Sequence, residues 1–532
     1  MLLRRALYNA VSTAALPLRA HAALAGSGRS RVLRAREREI WTRGASSEAH
    51  PLSRDGSEAT CAARFSAYAR CVPALASLQL VPLAPTSDSV RLWLGSPHTG
   101  PATVRLRVAA RGGAESSVDV RPDWRKLSAA DFWTARVQLD GVSPGTRYAI
   151  GLESEGELAR VRLTTLPVRL PAEGSGESFN VLLGSCFGLG SAKALPLGDL
   201  LSTLPVDESP HVKLLCGDQV YLDLPVVEDL PEDPAKLISK LLEKYRRNWE
   251  HVASHGQHGA GGFGRFLRTG SNLFVADDHE FWNNYPFAQA QLPITWRSGP
   301  RKAYSAAAAE LYDAFQPSDS PHGLTTLRLH TSSGVGGLDV FALDGRRFRS
   351  RDNAHSAQGL DELELGLKRD SGPAVLVLSQ PLFDAPAGRW SRRWKDANLA
   401  DFEDYPRLVR AICDRRHDVL VLSGDIHRAR VASARSALGA SIHEIVASPL
   451  SLIGSGSHKR APANERFPDP AVPGASRRTV STELTGLGTE NFATIRFTDS
   501  SGRVEVRVSY WTYQASQGSG LNRSWQTRIL LY

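Results

Sequence analysis

Aspartate and histidine side chains follow three apolar runs of strand length in this sequence. They are Asp218 after Val212–Cys216, Asp278 and His279 after Asn272–Ala276, and Asp425 and His427 after Val419–Leu422. Carboxylates and imidazoles are ligands for divalent and ferric ions, and phosphate ester hydrolysis can use two ions about 3.5–4 Å apart that share an oxygen. The carboxyl ends of strands in an open α/β sheet meet at one ligand-binding edge. The pattern therefore predicts a metal-dependent hydrolytic site assembled from distant segments.

Each of these side chains also has a simpler interpretation when it is considered alone. An aspartate after a strand commonly caps a helix or a turn, and an isolated histidine usually completes a hydrogen bond. The occurrence of three such positions in one sequence favours the interpretation that they form a single shared site. A shared carboxylate would hold two cations close together and help acidify a water molecule, while His279 would protonate the leaving oxygen or stabilise the charge of the transition state.

The elements that must position these residues are those of an α/β domain. Six nearly continuous apolar runs predict strands covered on both faces, at Phe179–Leu183, Val212–Cys216, Asn272–Ala276, Val340–Leu343, Ala374–Leu378 and Val419–Leu422. Apolar residues at helical spacing predict helices over Pro234–Trp249, Arg301–Phe315 and Asp401–His417. Residues 251–270 are rich in His, Gly and Ser without periodicity, which predicts a mobile loop, with an extra metal or lid role for His251, His255 and His258 as a weak alternative.

A different pattern precedes this region. Residues 76–168 contain short runs that alternate apolar and polar side chains, typical of half-buried antiparallel strands. The segment 139–148 resembles the turn before a late strand of fibronectin type III sandwiches. Residues 169–178 are rich in Pro, Gly and Ser and predict a linker to a catalytic domain at 179–532. Residues 1–75 show little periodicity and are interpreted as a basic leader with a poorly packed segment.

The charge of the chain is concentrated at its start. Residues 1–43 hold nine arginines and two glutamates, which account for a net +7 of the formal +9. The remainder is close to neutral, so nucleic acid is not favoured as the main substrate. No run of about 18 apolar residues predicts a transmembrane helix. Residues 1–27 fit a weak signal peptide, an organellar-style leader or a disordered tail, and a cytoplasmic location is slightly favoured over export.

The five cysteines do not form a dense disulfide framework. Cys61 and Cys71 would pair only in a secreted protein, while Cys216 and Cys413 are interpreted as unpaired thiols. A four-sulfur zinc site is excluded because no paired Cys-x-x-Cys occurs. A serine hydrolase is disfavoured because Ser185 stands one position away from the Gly-x-Ser-x-Gly spacing.

Taken together, the motifs resemble those of a known family. They are Gly184-Ser185-Cys186, Gly217-Asp218-Gln219-Val220-Tyr221, Asp277-Asp278-His279-Glu280 with Asn283-Asn284-Tyr285, Asp344-Gly345-Arg346-Arg347-Phe348-Arg349, Ser423-Gly424-Asp425-Ile426-His427 and Glu444-Ile445-Val446-Ala447-Ser448-Pro449. In combination and order they resemble the PhoD-like alkaline phosphatases, a branch of the calcineurin-like metallophosphoesterases. The likeness spans roughly residues 80–500. It implies a metallophosphoesterase β-sandwich core flanked by helices in four layers, preceded by a small fibronectin III-like sandwich.

The resemblance also implies roles for individual residues. Asp218 would bridge two metals, with Cys186, Tyr221 and His427 on one metal and Asp278 and Asp425 on the other, and His279 would be the acid. Iron and calcium are the implied pair, and other divalent ions stay open. Arg346 and Arg349 would clamp phosphate oxygens, with an ion pair as the alternative. Without the resemblance, Cys186 would be interpreted as a small buried hydrophobe and Tyr221 as a packing aromatic.

One position departs from the wider superfamily. Gln380 stands where that superfamily places a histidine after a buried strand, so the second metal would be held more loosely or completed by water. The expected activity is hydrolysis of phosphomonoesters, phosphodiesters or both, on a phosphorylated small-molecule or ester substrate. The alternative function is a catalytically weak phosphatase fold that serves as a binding or scaffold module. The oligomeric state is left open.

Overall fold

The structure is a computed structural model in which the chain is a mixed α/β protein. It describes residues 78–152, 160–188, 197–225, 228–249, 263–318, 320–331, 337–369, 371–387, 397–451, 463–464, 466–467, 478–487, 489–513 and 520–532. The described residues all belong to one compact unit, Ser66–Tyr532. The predicted leader at 1–75, including Cys61 and Cys71, lies outside them. No helix among the described residues has the length and apolar character needed to cross a membrane.

The first eight strands form two four-stranded antiparallel sheets. They are β1 (Gln79–Pro82), β2 (Ser89–Ser96), β3 (Val104–Ala110), β4 (Glu115–Val120), β5 (Arg125–Lys126), β6 (Trp133–Asp140), β7 (Arg147–Leu152) and β8 (Arg160–Thr164). The strand orders are β1-β2-β6-β5 and β4-β3-β7-β8. Alternation places one side of each strand inward: Val104 and Leu106 of β3 are buried while Arg105 and Arg107 are exposed. Leu92 of one sheet and Ile150 of the other belong to a single apolar core.

Two larger sheets form the rest of the described chain. Their strands are β9 (Phe179–Gly184), β10 (Val212–Cys216), β11 (Ser271–Val275), β12 (Leu324–His330), β13 (Gly337–Leu343), β14 (Ala374–Val377), β15 (Val419–Ser423), β16 (Arg430–Arg435), β17 (Ser441–Val446), β18 (Arg466–Phe467), β19 (Arg478–Thr485), β20 (Asn491–Ser500), β21 (Arg503–Thr512) and β22 (Asn522–Leu531). The six-stranded sheet has the order β11-β10-β9-β20-β21-β22, and the eight-stranded sheet has the order β12-β13-β14-β15-β17-β16-β19-β18. Strands β9, β10 and β11 are parallel, as are β13, β14, β15 and β17, so their carboxyl ends share an edge within each sheet.

Helices accompany the parallel strands. They are α1 (Leu197–Leu200), α2 (Pro234–Trp249), α3 (Phe263–Arg268), α4 (Ser298–Phe315), α5 (Ala357–Lys368) and α6 (Tyr405–Cys413). Short 3-10 turns occur at Leu201–Thr203, Val206–Glu208, Asp278–Glu280, Pro293–Thr295 and Leu399–Asp401. The turn at Asp278–Glu280 directly follows β11 and holds two of the predicted site residues.

The two large sheets share one apolar core between them. Leu183 of β9 and Leu214 of β10 belong to the same core as Val377 of β14 and Leu422 of β15. The opposite face of the six-stranded sheet, which includes Leu215, packs with residues of α2, α3 and α4. The opposite face of the eight-stranded sheet packs with residues of α5 and α6. Both faces of the parallel strands are therefore covered, which explains their continuous apolar runs.

Two predicted elements differ from the structure by more than three residues at an end or in their type. The helix predicted at Asp401–His417 is shorter, Tyr405–Cys413, because Leu399–Asp401 forms a separate 3-10 turn and Pro406 stands in the first turn of the helix. The loop predicted at 251–270 contains α3, in which Phe263, Phe266 and Leu267 recur at helical spacing and are buried. Residues 251–262, with their three histidines, lie outside the described residues.

Candidate metal centre

Four strand ends from the two large sheets meet at one place. Backbone hydrogen bonds connect the loops after β9 and β10, from Cys186 N to Gly217 O at 3.1 Å and from Phe187 N to Asp218 O at 2.7 Å. The loop after β15 joins them, since the backbone N–H of Asp425 donates to Ser185 Oγ at 3.2 Å. The two sheets therefore bring side chains from opposite ends of the domain sequence to a common edge.

The predicted metal ligands converge at this edge. Three groups have ligand atoms within 4.8 Å of one another: Cys186 with Asp218 and His427; Asp218 with Asp278 and His279; and Asp218 with Asp277, Asp278 and Asp425. Asp218 is common to all three groups. A carboxylate in that position has the location required to bridge two cations.

Two weakly acidic side chains, a thiol and a phenol, contact one oxygen of this shared carboxylate. Cys186 Sγ lies 3.4 Å and Tyr221 Oη 3.3 Å from Asp218 Oδ2. Burial raises the pKa of the Cys186 thiol well above its usual value, and the charges of Asp218 and Asp425 add to that shift. Burial and the Asp218 charge likewise raise the pKa of Tyr221. Acids gathered out of water are costly to ionise unless cations accompany them, so thiolate, phenolate, imidazole and carboxylate donors here fit a metal site.

The backbone at the centre adopts an uncommon conformation. Cys186, Asp218, Asp425 and His427 have φ values of 60°, 59°, 69° and 53°, in the left-handed region, as does nearby Asn284 at 64°. Only one other non-glycine residue of the described chain, Ser501, has positive φ. Such a conformation costs on the order of 1–3 kcal/mol per residue and persists only where surrounding contacts enforce it. Strain is therefore concentrated on the predicted ligands.

His279 is held by an aspartate that the sequence analysis did not identify. Its Nδ1 lies 2.7 Å from Asp223 Oδ1, and Asp223 Oδ2 accepts the backbone N–H of Asn283 at 2.9 Å. Burial by itself lowers the pKa of His279, but the charges of Asp223, Asp278 and Asp218 outweigh it and raise the pKa. Because Nδ1 of His279 contacts Asp223, Nε2 is the ring nitrogen that can interact with other groups. Asp223 stands five residues after Asp218, and no local pattern distinguishes it from a turn residue.

Glu280 connects the loops after β10 and β11. Its buried carboxylate accepts the backbone N–H groups of Asp218 at 2.8 Å, Gln219 at 2.6 Å and Asp277 at 2.9 Å. Burial raises the pKa of Glu280 to about 7, although these N–H donors oppose the shift. Because the bonds reach residues of both loops, Glu280 fixes the spacing between Asp218 and Asp278.

Gly217 permits the close approach of the same two loops. Its φ is +86°, and a Cβ atom at this position would lie 2.1 Å from Asp277 Cβ and 2.8 Å from Asp277 N. Neither contact is sterically acceptable for an L-residue. The glycine before Asp218 is thus required by the geometry of the centre.

The two arginines predicted to clamp phosphate lie beneath the centre. Arg346 is fully buried and ion-paired with Asp277, and it donates to Tyr285 O at 3.3 Å. Arg349 is 4% exposed, donates to Gly345 O at 2.6 Å, and stacks over Phe402 with its guanidinium 4.5 Å from the ring centroid. These contacts disagree with a phosphate clamp. For Arg346 they favour the alternative of an ion pair, buried rather than at the surface.

Gln380 hydrogen-bonds the predicted ligand Asp425 through its amide nitrogen. Its Oε1 accepts a hydrogen bond from Arg349 Nη2 at 2.8 Å, and its Nε2 donates to Asp425 Oδ2 and to Ala397 O, both at 3.1 Å. An arginine can only donate hydrogen bonds and a carboxylate can only accept them. The partners of Gln380 therefore assign the amide oxygen to the side of Arg349 and the amide nitrogen to the side of Asp425. The amide oxygen therefore faces away from the carboxylates, and Arg349 positions Asp425 through Gln380.

Comparisons with known proteins agree with the resemblance noted from the motifs. Residues 203–370 match the family model of PhoD-like phosphatases, which confirms that resemblance and supports phosphoric ester hydrolysis as the general activity. The matched region contains Asp218, Asp278 and His279, while Cys186 and His427 lie outside it.

The chain is also similar to solved structures of low sequence identity. The purple acid phosphatase PPD1 from yellow lupin (Lupinus luteus) seeds is 11% identical, with a TM-score of 0.48, over 85% of this chain and 73% of that one. GAP50 of Plasmodium, titled the anchor in the inner membrane complex, is 10% identical, with a TM-score of 0.36, over 67% of this chain and 89% of that one. No curated protein matches the chain at a significant level.

Proposed function

We propose that this chain hydrolyses phosphomonoesters, phosphodiesters or both at a two-metal centre, with Asp218 as the shared ligand. The observation that carries the proposal is the membership of Asp218 in all three groups of converging ligand atoms. Cys186, Tyr221 and His427 would hold one cation with Asp218. Asp278 and Asp425 would hold the second. When bound, the cations would supply Lewis acidity and lower the pKa of water at the site.

The donor types suggest which metals the two halves prefer. A thiolate, a phenolate and an imidazole suit ferric iron at the half that contains Cys186 and Tyr221. The carboxylates of Asp278 and Asp425 suit a hard cation such as calcium. Iron and calcium are therefore the proposed pair.

His279 is the proposed general acid. Its Nδ1 is hydrogen-bonded to Asp223, which fixes the ring and keeps a proton available on the imidazole. Its Nε2 would then deliver the proton to the leaving oxygen of the ester. In this proposal Arg346 and Arg349 are positioning residues, since Arg346 is ion-paired with Asp277 and lies 4.0 Å from Asp278, and Arg349 hydrogen-bonds Gln380.

Architecture at a finer level is also proposed. The strand orders β1-β2-β6-β5 and β4-β3-β7-β8 support the proposal of a fibronectin type III-like sandwich at residues 76–168, which a linker at 169–178 would join to a catalytic domain at 179–532. The shared core between the large sheets, with helices on both outer faces, supports the proposal of a four-layer metallophosphoesterase arrangement.

The test is ester hydrolysis by the purified full chain. We expect turnover of p-nitrophenyl phosphate or its bis-ester, loss of turnover after chelation, and a loss of about 10³-fold or more in Asp218→Asn. Asp140→Asn is the matched control, because Asp140 is an exposed aspartate of the N-terminal sandwich. Elemental analysis should find about two ions per chain. Activity that persists after both chelation and Asp218→Asn would refute the assigned centre, and less than one tightly bound ion would favour the scaffold alternative.

A further inference from the structure

An arginine-lined groove lies where the N-terminal sandwich meets the region around α1 and α3. It has a volume of about 700 Å³. Six arginines line it, four from the sandwich and two from α3: Arg111, Arg147, Arg160, Arg162, Arg265 and Arg268. We call this feature the arginine groove. Its volume falls within the range of typical small-molecule sites.

The alternation of the sandwich strands creates one wall and the floor. In β8, Val161 and Leu163 point into the apolar core, so Arg160 and Arg162 point to the opposite face. Arg162 pairs with Ala149 of β7, which pairs in turn with Ala109 of β3. Small side chains beside long arginines leave a depression on this face.

The second wall is fixed to the first by hydrogen bonds. Arg265 and Arg268 are three residues apart on α3, and Gly270 follows the helix. The backbone N–H of Gly270 donates to Arg162 O at 2.7 Å, and the buried Nζ of Lys213 donates to Gly270 O at 2.6 Å. The backbones of the two walls of the groove are therefore held at a fixed spacing.

The described residues only partly balance the charge of the groove. Arg160 lies 3.8 Å from Glu115 and Arg265 lies 2.6 Å from Asp199. No carboxylate among the described residues pairs with Arg111, Arg162 or Arg268, and none lines the groove. Arg268 Nε is buried without a hydrogen-bond partner in the described part of the chain. A buried guanidinium N–H without a partner is costly, and an anion in the groove would offset that cost.

The groove is separate from the metal centre. Pro210, Thr269 and Gly270, which line it, precede β10 and β11, whereas Asp218 and Asp278 follow the same strands. A five-residue strand spans about 16 Å at roughly 3.3 Å per residue. An anion in the groove would therefore lie at the opposite edge of the sheet from the metal ligands.

We propose that the arginine groove binds a polyanionic ligand that carries several phosphate groups in a short linear array. Guanidinium groups form paired hydrogen bonds with phosphate oxygens, and arginines on two facing walls can contact successive phosphates. The inference goes beyond the proposed ester hydrolysis, because it assigns a second binding site that does not use the metals.

Inorganic tripolyphosphate is the probe for this proposal. It is titrated calorimetrically into the full chain after chelation and dialysis, so that no turnover occurs, at about 50 and 200 mM salt. We expect saturable binding to one site that weakens with salt. Arg162→Gln/Arg268→Gln removes one arginine from each wall, neither of them paired with a described carboxylate. It should weaken binding about 25- to 100-fold, since each of the two charge-assisted contacts contributes roughly fivefold to tenfold.

The control double variant is Arg105→Gln/Arg125→Gln, which removes the same charge. Both are exposed sandwich arginines outside the groove, and each faces a carboxylate. It should bind within about threefold of the wild-type chain, and Asp218→Asn should bind within about twofold. A chain that binds tripolyphosphate but hydrolyses no ester would refute the proposed function and leave the groove proposal intact.

Three results would overturn the groove proposal. The first is unchanged binding in Arg162→Gln/Arg268→Gln, and the second is equal weakening in the control variant, which would indicate a general charge effect. The third is no binding to the wild-type chain together with a lower melting temperature of Arg162→Gln/Arg268→Gln. That result would show that the arginines serve the fold and not a ligand.

Discussion

Replacing Gly217 by alanine tests whether the spacing of the loops after β10 and β11 sets the activity. The new Cβ would lie 2.1 Å from Asp277 Cβ, whereas an ordinary contact begins near 3.4 Å, so the loops must separate by about 1.3 Å. Gly217 also has a φ of +86°, which costs an alanine about 1 kcal/mol. Overpacking adds about 1–3 kcal/mol. We therefore expect a loss of about 2–4 kcal/mol in the free energy of unfolding.

The effect on turnover should exceed the effect on folding. A displacement of about 1 Å between catalytic groups can lower the rate about 100-fold, and Asp218 and Asp278 lie directly after the two residues that collide. The assay is kcat/KM for p-nitrophenyl phosphate, together with bound metal per chain and the melting temperature.

Gly112→Ala is the matched control for backbone conformation. Gly112 has a φ of +77°, but its Cβ would meet nothing within 4 Å. It should show the conformational cost of about 1 kcal/mol without a loss of activity. If Gly217→Ala kept kcat/KM within threefold of wild type and lost no more stability than Gly112→Ala, the reasoning about loop spacing would be refuted.

Of three further predictions, two concern residues around the centre and one concerns a residue away from it. Asp223→Asn should lower kcat about 100-fold with metal content unchanged, because His279 loses the carboxylate that holds its Nδ1; a loss of metal instead would indicate a ligand role. Gln380→Leu removes the hydrogen bond to Asp425 and should weaken binding of one cation about 10- to 100-fold in a metal titration, while unchanged affinity would contradict the positioning role. His211, whose pKa burial and the Arg147 charge lower to about 4, stays neutral in the folded chain, so stability present above pH 6.5 is lost as the pH falls toward 4. Between pH 6.5 and 5 this loss is about 2 kcal/mol, and His211→Asn, which keeps an acceptor for the Asn180 N–H, should show a shallower pH dependence in denaturant melts.

The strands that precede the predicted ligands were predictable because their apolar runs are continuous. The strand at Val212–Cys216 coincides with its prediction, and those before Asp278 and Asp425 differ by one residue at their ends. Parallel strands covered on both faces need no polar side chains until they end, so Asp218 and Asp425 mark the edge of each sheet. The sequence pattern does not show that the two edges meet, because that contact arises from the packing of one sheet on the other.

Residues whose roles depend on a partner far along the chain were not predictable. Glu280 appears in the sequence as one more acidic residue after β11, and only the fold brings it to the backbone of the loop after β10. Arg346 and Arg349 have the side chains expected of phosphate ligands, but burial beneath Asp277 and Gln380 assigns them other partners. Strand β20, which pairs with β9, mixes apolar residues with Thr, Arg and Asp. Its sequence therefore lacks the continuous apolar run that is typical of a fully buried strand.

The predicted ligands come from both of the large sheets. Cys186 and Asp218 follow strands of the six-stranded sheet, whereas Asp425 and His427 follow a strand of the eight-stranded sheet. A cation bound by both pairs would therefore cross-link the two sheets, in addition to the apolar core that they share. By mass action, bound metal would then raise the resistance of both sheets to heat and proteases. Removal of the metal would first weaken the contact between the sheets at this edge.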